Sequence, residues 1–381
     1  MNGPAAVPMY DDLDHQFMAQ SLDLAQLGAP TCRPNPAVGC VIARDGRVLG
    51  RGWHERAGGP HAEVVALADA GGDTTGATAY VTLEPCSHHG RTPPCADALL
   101  AAGVARVVVA HEDPFPAVDG RGLERLRHHG VRVEVGLMRD RAAAQNRGYF
   151  FAVTQGRPWI RLKSGISLDG RTALSGGQSK WITNALSRSD VQHWRARSCA
   201  ILTGVDTVLA DDPALSVREV LSGPHLQPTR IVLDSQGRMS ATARLCDESA
   251  PTIVYRGRHL PDDPSLTVER IPTPLNRERI DLAWVAHDMG RRGFREVQVE
   301  AGARLSGAWL STGLVDEILL YIAPCVLGHE GRPLFHLPGP ASLADATGFN
   351  VVDVASFGQD VRLRMLSKPV DGGLPMPQRS S

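Results

Sequence analysis

Two short stretches of this 381-residue chain carry side chains that could do chemistry together. The first holds His61 and Glu63, and the second holds Cys86 and Cys95. An imidazole nitrogen and two thiolates are good zinc ligands, and three protein ligands leave a fourth position for water, as in catalytic zinc sites. A water bound there loses its proton near neutral pH, and Glu63 is close enough to His61 to carry that proton to a leaving amine.

The arrangement is the His-x-Glu and Pro-Cys-x-x-Cys pattern of zinc deaminases, with a longer gap between the two cysteines. Residues 87–94 separate the cysteines, where the usual pattern has two residues. Both thiolates still reach one metal if Gly90 and the pair 93–94 turn the insert back. The alternatives are a zinc-stabilised loop, for which His88 or His89 would supply a fourth ligand, and a pair of unrelated buried cysteines.

The composition is that of a globular protein large enough for two domains. Hydrophobic residues make up 43% of the chain and charged residues 21%. A net charge of −1 and 5% aromatic residues argue against nucleic-acid binding, which draws on basic and stacking side chains. No apolar run is long enough to span a membrane, and residues 1–16 lack a signal-peptide pattern. The seven scattered cysteines fit a reducing cytoplasm, so we expect a cytoplasmic protein with no nucleic-acid or membrane partner.

The first half alternates strands and helices, which predicts an α/β domain with three layers. His61 and Glu63 would lie in the first turn of a helix, Cys86 after a strand, and Cys95 near a helix start, where the helix dipole favours bound anions. The predicted elements are a helix over 14–27, strands over 38–43 and 48–50 joined by a turn at 45–46, a helix over 61–70, a strand over 79–83, a helix over 95–102, a strand over 106–110, a helix over 120–130, a strand over 131–135 and one helix from 140 to about 157.

The second half repeats the alternation and predicts a second α/β domain. The predicted strands are 159–163, 200–203, 230–233, 252–255, 296–300 and 318–323, and the predicted helices are 189–199, a short one after residue 204, and 302–309. The domains are therefore expected over 12–155 and 156–367, and the Pro/Gly/Ser-rich tail 368–381 is expected to be disordered.

The second half has neither a Gly-x-Gly-x-x-Gly nor a P-loop pattern. Gly302, at the end of a strand and the start of a helix, could let an anion approach the backbone amides, although a helix-packing glycine explains it equally well. Polar loops at 167–172 and 203–213 follow strands, and such loops line ligand clefts in open α/β sheets. The spacing alone predicts a polar ligand that carries a phosphate.

Several longer motifs in both halves point to the same family of proteins. They are Asn35-Pro36-Ala37-Val38-Gly39-Cys40, His61-Ala62-Glu63, Thr82-Leu83-Glu84-Pro85-Cys86-Ser87-His88-His89-Gly90-Arg91-Thr92-Pro93-Pro94-Cys95, Ser167-Leu168-Asp169-Gly170-Arg171-Thr172, Trp181-Ile182-Thr183, residues 203–215 and Val299-Glu300-Ala301-Gly302. In these motifs the chain resembles the bifunctional riboflavin-biosynthesis deaminase–reductase family, over about residues 12–365. The family has the same eight-residue gap between the cysteines, and it usually has glycine where this chain has Ala301.

The resemblance implies two consecutive reactions on a small phosphorylated pyrimidine. A cytidine-deaminase-like first domain would deaminate 2,5-diamino-6-ribosylamino-4(3H)-pyrimidinone 5′-phosphate with the help of zinc. A second domain, similar in fold to dihydrofolate reductase, would use NADPH to reduce the ribosyl group and give 5-amino-6-(5-phosphoribitylamino)uracil. The resemblance also implies a homo-oligomer.

Carried over residue by residue, the resemblance assigns zinc to His61, Cys86 and Cys95 and the proton shuttle to Glu63. It assigns cofactor contacts to Gly165, Trp181, Thr207, Asp211, Ser235, Gly302, Ala303, Arg304, Leu305, Ser306, Gly307 and Ala308. It assigns substrate contacts to Ser179, Arg195, Leu215, Arg218 and Glu300. The two arginines suit a sugar phosphate, although without the family a surface salt bridge would be the simpler explanation. No residue is assigned to the 2′-phosphate of NADPH.

Three residues near the metal motifs have two interpretations each. Asn35 could bind the pyrimidine edge or form a turn, Arg91 could bind the phosphate or be solvated, and His54 could support the site or fill the core. Two alternatives for the whole chain are a deaminase whose second half only binds or oligomerises, and a zinc-stabilised binding module without activity.

Overall fold

The computed structural model describes residues 10–87, 93–218, 225–261 and 265–368. The chain forms two compact units, Met1–Gln155 and Gly156–Ser381. The predictions made for Gly90, Arg91, the two histidines before them and the tail after Lys368 fall outside the described residues. Within the described ranges, no helix combines the length and the apolar character needed to cross a membrane.

The first unit is a five-stranded sheet between two layers of helices, as the sequence predicts. Its strands are β1 (Gly39–Arg44), β2 (Arg47–Trp53), β3 (Thr78–Val81), β4 (Arg106–Val109) and β5 (Arg132–Val135), in the order β2-β1-β3-β4-β5. Its helices are α1 (Asp12–Gly28), α2 (Ala62–Ala70), α3 (Cys95–Ala101), α4 (Arg121–His128), α5 (Arg139–Gln145) and α6 (Arg147–Gln155). β1 is antiparallel to β2 and β3, and β3, β4 and β5 are parallel.

Strand β1 shows why the unit has three layers. Its side chains alternate between the faces of the sheet, and both faces are buried. Cys40 and Ile42 pack in the core shared with α2, α3 and α4, whereas Val41 and Ala43 pack in the core shared with α1. The predicted turn after β1 is confirmed: Asp45 and Gly46 both have positive φ, as a two-residue hairpin requires.

The single helix predicted from residue 140 to about 157 is wrong, because α5 ends and α6 begins around Asn146. The Asn146 side chain accepts a hydrogen bond from the Ala37 N–H and donates one to the Ala37 carbonyl, both at 2.8 Å. This long-range anchor holds the backbone at the junction, and a pattern of local hydrophobicity contains no sign of it.

The second unit contains a nine-stranded mixed sheet. The strands of the unit, four of which lie outside this sheet, are β6 (Trp159–Ser167), β7 (Arg171–Ala173), β8 (Ala200–Gly204), β9 (Thr229–Asp234), β10 (Thr252–Gly257), β11 (Glu269–Thr273), β12 (Leu275–Asn276), β13 (Arg279–Ile280), β14 (Glu296–Val299), β15 (Glu317–Ala323), β16 (Arg332–Pro333), β17 (Phe349–Phe357) and β18 (Asp360–Ser367). The nine strands of the sheet follow the order β11-β10-β9-β8-β14-β6-β15-β18-β17, and all neighbours are parallel except the β15–β18 and β18–β17 pairs. β12 pairs with β13 and β16 with β7 in two small separate sheets.

Within the described residues of this unit, four α-helices accompany the sheet. They are α7 (Ala185–Arg197), α8 (Val205–Asp211), α9 (Leu282–Arg291) and α10 (Ala303–Ser311). The largest core of the unit lies on one face of the sheet and includes the buried side chains of Ile160, Leu162 and Trp309. On the other face, Ile201 and Val232 pack in a smaller core with α8.

Several elements of the second unit were not predicted. The largest are helix α9 and the hairpin β17–β18, and β6 extends four residues beyond the predicted strand. Strand β17 is an edge strand with mostly part-exposed side chains, so it lacks the continuous apolar run of a buried strand. Its pairing with β18, and that of β18 with β15, is therefore decided by contacts distant in sequence.

Candidate metal centre and cofactor cavity

The three predicted metal ligands lie together in the first unit. The ligand atoms of His61, Cys86 and Cys95 are all within 4.8 Å of one another. His61 Nδ1 lies 3.2 Å from Cys95 Sγ and 3.5 Å from Cys86 Sγ. Tetrahedral zinc with ordinary bond lengths separates a nitrogen from a sulfur ligand by about 3.5 Å, so these donors fit the ion in both chemistry and spacing.

Two helix starts supply the ligands. His61 is the residue immediately before α2, and Cys95 is the first residue of α3. The Cys95 backbone N–H donates to Cys86 Sγ at 3.3 Å, and the Ala96 N–H donates to the Cys86 carbonyl. The hydrogen bond from the Cys95 thiol, together with His61, lowers the pKa of the Cys86 thiol, and the same hydrogen bond raises the pKa of the Cys95 thiol.

Glu63 is buried beside these ligands and is only 3% exposed. It lies in the first turn of α2 and interacts with the Cys95 side chain. Burial raises the pKa of Glu63 to about 7, and the opposing effect of His61 is smaller. A carboxyl group that gains and loses its proton near neutral pH is suited to general acid–base chemistry.

Helix α2 lies unusually close to strand β2 because the strand has glycines at the contact. A Cβ atom at Gly50 would lie 2.2 Å from the Ala66 carbonyl oxygen, and one at Gly52 would lie 2.3 Å from the Ala62 carbonyl oxygen. Both distances are shorter than any side chain tolerates. These glycines therefore set the position of the helix that carries Glu63.

Glu84 is a functional candidate that the sequence reasoning missed. It precedes the Pro85-Cys86 pair, is 4% exposed, and its carboxylate accepts hydrogen bonds from the backbone N–H groups of Gly120 and Gly122 at 3.0 and 2.9 Å. It thus binds the start of α4 to the loop that carries Cys86. A glutamate before Pro-Cys was visible in the sequence, but its partners are more than thirty residues away.

Asn35 and His54 form a connected pair near the metal centre. Asn35 Nδ2 donates to His54 Nε2 at 3.0 Å, and His54 Nδ1 donates to the Pro60 carbonyl at 2.9 Å. Burial lowers the pKa of His54, which is consistent with this neutral arrangement. The His54 ring meets the His61 ring edge-on at 5.4 Å, so His54 both fills the core and supports the ligand.

The second unit contains a cavity of about 1820 Å³ at the carboxyl ends of its parallel strands. Its wall includes all but two of the residues predicted to bind cofactor or substrate, namely Gly165, Ser179, Trp181, Arg195, Thr207, Asp211, Leu215, Arg218, Ser235, Glu300, Gly302, Ala303, Arg304, Leu305 and Ala308. The two predicted residues outside it are Ser306 and Gly307. Both are buried, because Ser306 bonds the Ala301 carbonyl and Gly307 packs against the backbone of His336.

The start of α10 opens into this cavity. Gly302 is the residue before the helix, and a Cβ atom built there would meet no other atom within 4 Å. Packing inside the protein therefore does not require glycine at this position, and the open space in front of the helix N-terminus suits a phosphate group.

A partly buried charge cluster lies in the cavity wall. Arg195 and Glu300 form a bidentate ion pair with N–O distances of 2.7 and 2.9 Å. Arg195 also donates a hydrogen bond to the Ser216 carbonyl. Burial alone would raise the pKa of Glu300, but Arg195 and Lys163 outweigh it and lower the pKa to about 2. The same burial lowers the pKa of Lys163, a wall residue to which the sequence reasoning gave no role.

Family models match both units. The model "Cytidine and deoxycytidylate deaminase zinc-binding region" matches residues 11–111, and the model "RibD C-terminal domain" matches residues 158–363. The second match alone covers more than half of the chain.

Relatives match the chain over nearly its full length. The riboflavin biosynthesis protein RibD of Escherichia coli strain K12 is 48% identical over 363 residues, covering 93% of this chain and 99% of that protein. The solved structure of Acinetobacter baumannii RibD, form 1, is 42% identical, has a TM-score of 0.87, and matches over 94% of this chain and 99% of that chain. The Thermotoga maritima diaminohydroxyphosphoribosylaminopyrimidine deaminase/5-amino-6-(5-phosphoribosylamino)uracil reductase is 32% identical and has a TM-score of 0.85. The match covers 93% of this chain and 99% of that chain.

Proposed function

The chain belongs to the family of the riboflavin biosynthesis protein RibD, and from this premise we propose how its residues divide two reactions between them. It is a bifunctional enzyme of riboflavin biosynthesis, with a zinc-dependent deaminase in the first unit and an NADPH-dependent reductase in the second. One observation supports the assignment of residues. The three predicted metal ligands lie together in the first unit, and most of the predicted cofactor and substrate contacts line one cavity in the second.

In the deaminase, His61, Cys86 and Cys95 hold zinc, and Glu63 moves the proton. Zinc held there would polarise a water molecule and so supply the nucleophile for the ring carbon that bears the amine. Glu63 would accept a proton from the attacking water and donate it to the amine, which leaves as ammonia. The burial of Glu63 keeps bulk water from competing for the proton. The substrate is 2,5-diamino-6-ribosylamino-4(3H)-pyrimidinone 5′-phosphate.

In the reductase, the cavity wall binds NADPH and the deaminated substrate side by side. The amides at Gly302 and Ala303 bind the cofactor pyrophosphate at the start of α10, and Trp181, Thr207, Asp211 and Ser235 supply other cofactor contacts. The substrate contacts are Ser179, Arg195, Leu215, Arg218 and Glu300. Hydride transfer reduces the ribosyl group to ribityl and gives 5-amino-6-(5-phosphoribitylamino)uracil.

The protein acts in the cytoplasm as a homo-oligomer. All seven cysteines are free, which suits a reducing compartment. Val351 and Val354 on edge strand β17 are 53% and 60% exposed, and such apolar side chains suit contact with another copy. Light scattering of the purified protein should give a mass that is a multiple of 40.9 kDa, and a monomer would contradict this part of the proposal.

One coupled assay tests the two activities together. The enzyme receives the diaminopyrimidine phosphate with and without NADPH, and the products are identified by mass spectrometry. We expect the deaminated ribosyl compound without NADPH and the ribityl compound with it. A deaminated product that NADPH does not alter would mean that the second unit only binds or oligomerises.

Replacing Glu63 by Gln should separate proton transfer, which we assign to Glu63, from zinc binding, which we assign to His61, Cys86 and Cys95. We expect full zinc content and an unchanged fold, with deamination slower by about 10²- to 10⁴-fold, because amide nitrogen cannot carry the proton. Reduction of deaminated substrate supplied directly should be unchanged. Deamination at the wild-type rate by the zinc-loaded variant would refute the proton-shuttle role.

A further inference from the structure

Four arginines line one end of the cavity and have no part in the roles described above. They are Arg238, Arg244, Arg277 and Arg279, here called the arginine rim. All four come from segments that follow β9 or form the β12–β13 hairpin. The rim therefore lies on the β9–β10 side of the sheet.

The loop after β9 places the first two rim arginines beside α8. Arg238 pairs with Asp206 at 2.5 Å, at the start of that helix. The Arg244 backbone N–H donates to Asp212 Oδ1 at 2.9 Å, just past its end. Both arginines are therefore held against the helix that also carries Thr207 of the cavity wall.

The hairpin places the other two rim arginines beside Ser235. The Ile280 backbone N–H donates to Ser235 Oγ at 3.2 Å, and the Ile280 side chain is buried in the main core. Arg277 and Glu278 form the two-residue turn with φ of 47° and 65°, a conformation that side-chain-bearing residues seldom adopt. The hairpin is thus fixed next to a predicted cofactor contact, with an arginine at its turn.

The rim has positive charge available for a ligand. Within the described parts of the chain, the side chains of Arg244, Arg277 and Arg279 form no ion pair with a carboxylate. All three are exposed at the cavity edge. Arginine is the side chain best suited to bind a phosphate, because it offers several hydrogen-bond donors at once.

We propose that the arginine rim binds the 2′-phosphate of NADPH and so makes the reductase prefer NADPH to NADH. The inference rests on the proposed function, because it requires the cavity to be the cofactor site. The sheet order β14-β8-β9-β10 places the rim two to three strands from the start of α10, where the pyrophosphate is proposed to bind. At about 4.8 Å per strand this separation is roughly 10–15 Å, within reach of the adenosine end of one dinucleotide.

The test measures the Kd of NADPH and of NADH for the full-length, zinc-loaded protein by titration calorimetry. Each rim arginine is replaced by Gln in turn. We expect at least one of these substitutions to weaken NADPH binding about tenfold, the usual size of a lost charged hydrogen bond, and to leave NADH binding unchanged. Because the rim is exposed, added salt should weaken NADPH binding more than NADH binding in the wild type only.

Three comparison variants identify the cause of any change. Arg304→Gln, in the first turn of α10, should weaken both nucleotides equally, because both carry the pyrophosphate. Gly302→Val, which fills the open space before α10, should do the same more strongly. Arg291→Gln, on α9 and outside the cavity wall, should change neither.

The outcomes separate the rim from the cavity. Equal weakening of both nucleotides by the rim substitutions, or no weakening by any of them, overturns the rim proposal while leaving the cofactor site in place. A higher Michaelis constant for the pyrimidine substrate with unchanged NADPH binding would assign the rim to the substrate phosphate and also overturn the proposal. If Gly302→Val leaves both nucleotides bound, the pyrophosphate does not lie at the start of α10, and the proposed position of the cofactor in the cavity fails together with the rim proposal.

Discussion

At the scale of single residues, Glu63 in the metal centre and Glu300 in the cavity wall have opposite pKa shifts because their surroundings differ. Glu63 is buried beside His61, and burial, which outweighs the effect of His61, raises its pKa to about 7. Glu300 is partly exposed in the cavity wall, with 13% of its side chain accessible, and Arg195 and Lys163 lower its pKa to about 2. One carboxyl group is therefore suited to exchange protons, whereas the other is a permanent charge in the cavity wall.

The Glu300–Arg195 pair predicts an acid-dependent loss of stability. The pKa of Glu300 lies below its ordinary value of 4.5, so the ionised form stabilises the fold above pH 4.5 and this contribution is lost as the pH falls towards 2. The shift corresponds to about 3 kcal/mol. Glu300→Gln should therefore lower the free energy of unfolding by about that amount at pH 7, and the difference from the wild type should shrink below pH 4.

Urea unfolding followed by tryptophan fluorescence measures this difference, since five of the six tryptophans lie in the second unit. Glu330→Gln, at an exposed position, is the matched control and should leave the pH dependence unchanged. A difference between Glu300→Gln and the wild type that stays constant from pH 7 to pH 3 would contradict the assignment.

At the scale of elements, the metal centre depends on how α2 lies on β2 and how α3 follows the Cys86 loop. Two of the three ligands, His61 and Cys95, come from the starts of these helices, so a small displacement of either helix moves a ligand. Gly50 and Gly52 allow the close approach of α2, and the buried Glu84 carboxylate joins α4 to the loop.

Gly52→Ala should displace α2 and weaken the metal centre. The added Cβ would lie 2.3 Å from the Ala62 carbonyl oxygen, and both atoms belong to backbones that cannot rotate away. Overpacking of this kind costs about 1–3 kcal/mol. We expect a lower free energy of unfolding and zinc release at a lower chelator concentration.

Gly72→Ala is the control for this substitution. Gly72 is exposed just after α2, and the nearest atom to a Cβ there is 3.8 Å away. The control should keep wild-type stability and zinc affinity. If Gly52→Ala retains both as well, the close approach of α2 and β2 does not position the metal ligands.

At the scale of the whole molecule, the chain divides its two sites between its two units. The cluster of His61, Cys86 and Cys95 lies within Met1–Gln155, and every residue that lines the 1820 Å³ cavity lies within Gly156–Ser381. Each unit has its own sheet and its own core. The loss of one site should therefore leave the other working.

Removal of zinc should abolish deamination and spare reduction. Dialysis against a chelator takes the metal from His61, Cys86 and Cys95, and the reductase cavity contains none of these residues. We expect no deaminated product, an unchanged rate of NADPH oxidation with deaminated substrate supplied directly, and recovery of deamination when zinc is returned. A parallel loss of both activities on chelation would show that zinc also stabilises the second unit.

The sequence by itself determined the metal chemistry and the α/β class of both halves. Zinc chemistry needs a few residue types at short spacing, and His61, Glu63 and Cys86 lie next to strand ends and helix starts that local patterns predict. Hydrophobic runs over residues 38–43 and 107–110 likewise predicted buried strands, because a strand covered on both faces is mostly apolar.

Only the tertiary structure decided which distant residues meet. The hydrogen bonds from Gly120 and Gly122 to Glu84, the Asn146 anchor to Ala37 and the pairing of β18 with β15 join positions far apart in the chain. The arginine rim likewise collects side chains from a loop and a hairpin around one opening. Local patterns report which face of an element is apolar, but the partner of a polar group depends on how the elements pack, and packing is a property of the whole chain.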